Sequence, residues 1–364
     1  MNFTMKKPPI KNNQQRSYKR SLNLHISLLI VSVIAIITRA FIPVAAETSW
    51  APDQLFKTFL MLVVGALVSV IIELLYALGE GSANDFSEYK RWIDPINSGL
   101  LIALLLPTST PIYVLILAVF VGVYIGKLVF GGYGYYIFNP ALVGVLFANI
   151  SFGDFLSIGN TPLVQLKSVL VESASVNFNM VDLMLGHYEA YAIGSTSIIL
   201  LTLLLIYLVV TKVIDWRISV TFIGTVSVIS LIVGYINFGA GAVNFTLINL
   251  MTGLTMFGAV FLVAESVSSP TSREAKLVYA VVVAIMTMLV RVVGSSIEGV
   301  VFAVLLGNMI TPFINRTVVR SDKQALIKTG ISLAVVVLVV GAVLGFIVQS
   351  RLIEAFNAFI GGVL

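Results

Sequence analysis

Three glutamates stand where an apolar chain should exclude them: Glu73 within Val70-Ile71-Ile72-Glu73-Leu74-Leu75, Glu265 at the end of a long apolar run, and Glu298 at the start of another. A charge in such a segment is costly and is kept for pairing or for conducting an ion, so all three are candidates for an ion path. The plainer reading is snorkelling to an interface or pairing with a nearby arginine. Arg39 and Arg291 also sit in apolar surroundings, where a guanidinium holds a phosphate as readily as a carboxylate. Gly131-Gly132-Tyr133-Gly134 provides backbone that turns tightly or approaches a planar ligand. Tyr133, Tyr135 and Tyr136 add rings able to stack on an aromatic group, although a short interhelical turn needs the same glycines. The chain has no cysteine, so it supplies no thiolate for an iron–sulfur cluster. His25 and His187 are far apart in sequence and read as separate interfacial residues. Any redox carrier held here must therefore be organic.

The elements that position these residues are helices in lipid. Hydrophobic residues make up 58% of the chain and charged ones 11%, with a mean hydropathy of +1.02, too little polar surface for a water-soluble fold of this size. Apolar runs of bilayer length recur throughout, at about 22–44, 56–78, 96–110, 112–130, 135–152, 192–213, 218–236, 246–264, 276–293, 297–314 and 329–349. That pattern predicts an all-α, polytopic transmembrane helical bundle, and no stretch alternates as a membrane β-barrel strand does. The basic segment 1–21 reads as a cytoplasmic tail, an orientation signal rather than a nucleic-acid site. With that start, 17 of the 22 Lys and Arg residues fall on the cytoplasmic side. The expected location is a cell (inner) membrane, with the C-terminus outside.

Two further patterns refine the bundle. Leu106-Pro107-Thr108-Ser109-Thr110-Pro111 closes the third span and Val267-Ser268-Ser269-Pro270-Thr271-Ser272 follows the eighth, so both segments are broken. Tyr136 to Ile150 is also weakly similar to Ser296 to Ile310, five spans later, and an odd spacing inverts the second copy. The expected organisation is a first five-helix repeat over 22–152, an extracytoplasmic loop over 153–190, a second repeat over 191–316 and an additional helix and tail over 317–364. Broken helices expose backbone groups at membrane depth, so an ion or cofactor site is expected near the centre. Only the 153–190 loop has room to carry a tethered group.

The motifs together resemble the NqrB/RnfD family, which contains the RnfD subunit of the Rnf complex and the NqrB subunit of the sodium-pumping NADH:quinone oxidoreductase, Nqr. The similarity is most specific over Asp94-Pro95, Ser98 to Pro107, Gly126-Lys127, Phe130 to Gly134 and Phe138-Asn139-Pro140-Ala141. It continues through Gly194-Ser195-Thr196-Ser197, the Lys212–Arg217 turn, Ser269-Pro270-Thr271, Glu298-Gly299, Asn308 and Pro312. The resemblance implies a covalent FMN on an external threonine and a second flavin, riboflavin, held without a covalent bond. The family's attachment motif ends in Ser-Gly-Ala-Thr, and the matching place reads Ser157-Ile158-Gly159-Asn160-Thr161-Pro162-Leu163, one residue longer, with Asn160 for alanine. Thr161 is thus the implied attachment point, with Ser157 and Asn160 beside it, and Gly131, Gly132, Gly134, Asn139, Pro270 and Thr271 are the implied contacts elsewhere. Three other departures are Tyr136 for the usual asparagine, Glu265 for aspartate and Ser195 for glutamate.

The function so implied is that of a flavin-carrying subunit of an ion-translocating oxidoreductase, inactive alone. It would pass electrons through the membrane coupled to Na⁺ or H⁺ movement. Its partners would be other membrane and peripheral subunits, including an FMN-bearing one and iron–sulfur ones. A solute transporter without cofactor, or a non-pumping subunit for extracellular electron transfer, fits the same broken helices.

Overall fold

The computed structural model describes residues 10–41, 52–80, 92–156, 179–186, 192–294, 299–318 and 323–361. Among these, every regular element is helical. In chain order they are α1 (Ile10–Phe41), α2 (Pro52–Gly79), α3 (Ile93–Leu105), α4 (Ile112–Phe120, continuing as the π-helix Val121–Leu128) and α5 (Pro140–Ser151). Then come α6 (Met180–Leu185), α7 (Ile198–Val210), α8 (Trp216–Phe238), α9 (Ala242–Met251), α10 (Thr255–Phe257, continuing as the π-helix Gly258–Leu262), α11 (Arg273–Val292), α12 (Gly299–Thr317) and α13 (Lys323–Gly361). Six described stretches are long and apolar enough to cross a bilayer, and four shorter apolar helices accompany them. The chain is a multi-pass membrane helical bundle.

The helix bounds depart from the apolar runs in three places. Helix α1 starts at Ile10, so half of the expected tail is helical; Gln, Arg and Lys are good helix formers, and an established helix adds each further residue cheaply. The 153–190 segment is not loop throughout, because Asn179 caps α6 through its Oδ1 and the Val181 N–H (3.1 Å), while Gly186 ends it at φ +78°. The eighth span breaks inside itself, at Thr252-Gly253-Leu254, as well as after its end.

Helix α3 ends at Leu105 because Leu106 precedes Pro107 and is driven out of the α region, to φ −93° and ψ 153°. The carbonyls released at that break are taken up by the irregular segment before α7. The Gly194 N–H donates to the Leu104 carbonyl (2.7 Å) and the Ile193 N–H to that of Leu106 (3.0 Å). The same segment serves the second break, where the Ser195 hydroxyl donates to the Gly253 carbonyl (2.6 Å). Arg291 donates to the carbonyls of Asn249 (2.8 Å) and Thr252 (3.2 Å), and Arg39 to that of Ala192 (3.0 Å). Ala192 to Thr196 are all buried. One short unwound segment thus joins both broken helices, as backbone in lipid requires.

Close helix contacts rest on small residues, as is usual in membranes. A Cβ on Gly99 of α3 would lie 2.1 Å from the Gly65 carbonyl oxygen of α2, and one on Gly144 of α5 2.3 Å from that of Ala118 in α4. The additional helix α13 uses the same device, with Gly341 and Gly345 against Ile232 and Ile236 of α8 and the Asn237 amide donating to the Gly345 carbonyl (3.1 Å). Helix α3 is wrapped by its neighbours, whereas α2 and α13 turn Phe56, Leu67, Leu338 and Phe346 outward as a lipid-facing surface.

At the α7–α8 turn, Asp215 caps α8 through the Arg217 N–H (3.1 Å) and accepts from Lys276 (2.8 Å). Burial works to raise this carboxyl, but the Lys276 ammonium and the Arg217 amide outweigh it and hold it below the usual range. A depressed carboxyl stabilises the fold fully above its unfolded value of about 4, and that contribution fades as pH falls through the folded value. Asp215→Asn should therefore flatten the loss of thermal stability between about pH 5 and pH 3 seen in detergent melts; an unchanged profile would remove the cap from that role. Gly99→Val should cost at least ~1–3 kcal/mol by overpacking against α2, seen as a lowered melting temperature.

Candidate functional site

The π-helical turn of α4 sets the site. Widening the helix over Val121–Leu128 puts Gly122 and Gly126 against α5 and brings Lys127 round to face α2 and α3. Lys127 is 1% exposed, and its Nζ lies 2.5 Å from Glu73 Oε1 of α2, 2.5 Å from Asp94 Oδ2 of α3 and 3.5 Å from Ser98 Oγ. All three ammonium protons are thereby engaged, which is the condition for keeping a lysine in an apolar interior. Glu73, an expected ion-path residue, is one arm of this ion triad. Lys127, counted in the sequence only as a basic residue and part of a motif, is its centre. The signal available beforehand was the lysine's place directly after an apolar run containing Gly122 and Gly126.

Beyond Lys127 the chain turns through Gly131, Gly132 and Gly134, at φ +105°, +84° and +93°, a region costly for any residue with a Cβ. The turn carries Tyr133 and Tyr136 toward a cavity, and Asn139 then starts α5 as its cap, accepting the Ala141 N–H on Oδ1 (2.9 Å) with Pro140 behind it. The cavity is partly open, and the space between its lining side chains, open solvent at the mouth included, comes to about 750 Å³. Tyr133, Tyr136 and Asn139 form one wall, Asp94, Asn97, Ser98 and Lys127 a second, and Val260 and Phe261 of the π-helical end of α10, with Glu265 after it, a third. Arg20 and Leu24 of α1 and Val213 and Ile214 of the α7–α8 turn close it. Five separate parts of the chain thus meet around one space.

Glu265 faces this space with its carboxylate engaged by neutral groups. Tyr136 donates its hydroxyl to Oε1 (2.5 Å) and Ser268 to Oε2 (2.9 Å). Asn97 is held from behind by His25, whose Nδ1 is 2.7 Å from Asn97 Oδ1, while the amide donates to the Ser21 carbonyl (3.2 Å). His25 is therefore part of the cavity's support rather than an isolated interfacial group.

The other expected residues are distributed as follows. Glu265 and Asn139 line the cavity, and Tyr133 lines it from between the three glycines. Pro270 is buried beyond the cavity, and the Thr271 N–H donates to Asn315 Oδ1 of α12 (3.2 Å). Ser157, Asn160, Thr161, His187 and Glu298 lie outside the described residues.

Comparison with known proteins gives the chain its relatives. A model of the NQR2, RnfD, RnfE family matches residues 5–323, ending where α13 begins. The chain is 30% identical over 239 residues to the RnfD-type subunit of the proton-translocating ferredoxin:NAD(+) oxidoreductase complex of Clostridium ljungdahlii, covering 60% of this chain and 71% of that one. It is 28% identical over 228 residues to the corresponding subunit of the Na(+)-translocating ferredoxin:NAD(+) oxidoreductase complex of Acetobacterium woodii, covering 60% and 69%. To the NqrB-type subunit of the Na(+)-translocating NADH-quinone reductase of Pseudomonas paraeruginosa it is 28% identical over 253 residues, covering 64% and 62%.

Replacing Lys127 by methionine leaves Glu73 and Asp94 as half-buried carboxylates without a counter-charge. Lys127→Met should cost ~3–5 kcal/mol of stability. Adding Glu73→Gln should return part of that loss, and melting of the single and double variants measures the coupling; strictly additive losses would dissolve the triad.

Proposed function

The chain belongs to the NQR2, RnfD, RnfE family, and on that premise we propose that it is a membrane subunit of an Rnf- or Nqr-type oxidoreductase complex, passing electrons by way of flavins while a cation crosses. The relatives named above are subunits of ion-translocating oxidoreductase complexes. The observation that carries the reading is the cavity, because its walls suit a planar ring with one apolar and one polar edge. Tyr133, Tyr136 and Phe261 supply aromatic faces, Val260 and Leu24 apolar contact, and the Asn97 and Asn139 side chains polar groups held at fixed orientations. Riboflavin is the flavin for this space. When bound, a flavin supplies the redox chemistry, taking and giving electrons singly or in pairs together with protons.

The residues around the cavity have definable parts in this. Lys127 cancels one of the two carboxylates beside the ring and is spent on them, so the triad keeps one net negative charge. Arg20, which also lines the space, supplies a cation that no carboxylate of the triad holds. The Lys127–Glu73–Asp94 triad ties α2, α3 and α4 together, so the cavity wall keeps its shape as charge arrives. We assign the covalent FMN to Thr161, in the segment the charge pattern puts outside, with electrons entering there from a partner subunit and moving inward. An arrangement of 22–152 and 191–316 as inverted repeats accounts for breaks in both halves.

The test is the complex purified from cells that possess a flavin transferase. A denaturing gel under ultraviolet light should show a fluorescent band at 39.3 kDa that disappears in Thr161→Val. Acid extraction of the same complex should release non-covalent riboflavin, reduced in Asn139→Leu. A dark band together with a flavin-free extract would overturn the reading and leave a permease.

A further inference from the structure

We propose that Tyr136 and Glu265 form a proton-binding site in the cavity wall, with the Tyr136 hydroxyl as its entry, so that the cation taken up here is H⁺ rather than Na⁺. The inference builds on the reading of the cavity as the place of electron transfer, but its geometry is independent of it.

The surroundings of Glu265 select between the two cations. Its carboxylate accepts from the Tyr136 hydroxyl on one oxygen and from the Ser268 hydroxyl on the other. Each carboxylate oxygen thus already faces a donor. A sodium ion needs the opposite, several oxygens with lone pairs directed inward, which unwound helices ordinarily supply as backbone carbonyls. Here five carbonyls at the two breaks already accept hydrogen bonds: those of Leu104 and Leu106 from the Ala192–Thr196 segment, that of Gly253 from Ser195, and those of Asn249 and Thr252 from Arg291. No ion pair joins Glu265 to a cation among the described residues.

A proton fits without displacing any heavy atom. A proton from the cavity bonds to the Tyr136 phenol oxygen; the original phenol O–H breaks, and its proton bonds to Glu265 Oε1. One proton is gained, no electron moves, and the pair keeps its hydrogen bond with donor and acceptor reversed. Tyr136 is 7% exposed and Glu265 half-buried, and both open on the cavity, which supplies the route. The groups facing Glu265 are Asp94 of α3, Lys127 of α4, Tyr133 of the turn, Tyr279 of α11 and Arg20 of α1. Lys127 is engaged by Glu73 and Asp94, so negative charge arriving in the cavity is met by this carboxylate taking up a proton.

The experiment is an infrared pH titration of the purified complex, comparing wild type, Glu265→Gln and Tyr136→Phe, each in NaCl and in KCl. Wild type should develop a protonated-carboxyl band as pH falls, with the same midpoint in both salts. Glu265→Gln should lack that component. Tyr136→Phe keeps the ring but removes the donor, and should bind the proton about tenfold more tightly, the scale of one hydrogen bond to a charged group. A midpoint that moves with Na⁺ concentration, or a band that survives Glu265→Gln, would overturn the proposal. A flavin-free complex that still titrates in the expected way would instead leave the proton site standing and remove the electron-transfer reading.

Discussion

A helix broken inside a bilayer releases carbonyls that lipid cannot satisfy, and most of this architecture follows from where those groups find partners. Pro107 makes the first break unavoidable and Thr252-Gly253 makes the second. Both are repaired by the same few residues, because Gly194 and Ile193 donate to one and Ser195 to the other. Only glycine fits at position 194, where a Cβ would meet the Phe257 ring at 2.7 Å and the Leu104 carbonyl oxygen at 3.1 Å. The segment is therefore a clasp between α3 and α10, two of the elements that carry the cavity walls. A shift in either one reaches the other through backbone hydrogen bonds.

The opposite ends of those elements solve an electrostatic problem in place of a backbone one. Lys127, Glu73 and Asp94 come from three helices, and removing the lysine leaves two carboxylates without a counter-charge, whereas removing one carboxylate leaves a balanced pair. The π-helical turn is what allows the triad, since it re-aims Lys127 while keeping Gly122 and Gly126 against α5. The glycines that follow let the chain reverse so closely that Tyr133 and Asn139 return to the same cavity. Helix packing, ion pairing and the turn thus depend on a single stretch of about twenty residues.

Much of this was legible in the sequence because lipid leaves few alternatives. Apolar length predicted the helices, and the Leu106–Pro111 motif marked one break, although the span was drawn to 110 and the helix ends at Leu105. The glycine turn was recognisable because it needs that residue type, whereas Asn139 stood out only through the resemblance, and its role as a helix cap came from the fold. Bounds were less legible: α1 extends into basic sequence because lysine and arginine are good helix formers whose heads reach water. The break at Thr252-Gly253 was missed because Thr255 to Leu262 is as apolar as any span, and hydropathy does not register one positive-φ glycine. The triad was invisible for another reason, since nothing in the sequence pairs Glu73 with a lysine 54 residues away.

Two departures from the family pattern, Tyr136 and Glu265, were separate facts in the sequence. In the fold they are a single contact, formed across 129 residues. A glutamate reaches farther than an aspartate, and a phenol hydroxyl sits farther from its backbone than a carboxamide, so both changes lengthen the side chains that meet at this wall. They also change its chemistry, because a phenol can pass on a proton and then replace it, whereas an amide cannot. Under the proposal that the cavity holds a flavin, the cation it serves is set through two side chains whose ends meet at this wall. The relatives themselves divide between H⁺ and Na⁺, so the cation proposed for this chain rests on the wall and not on them.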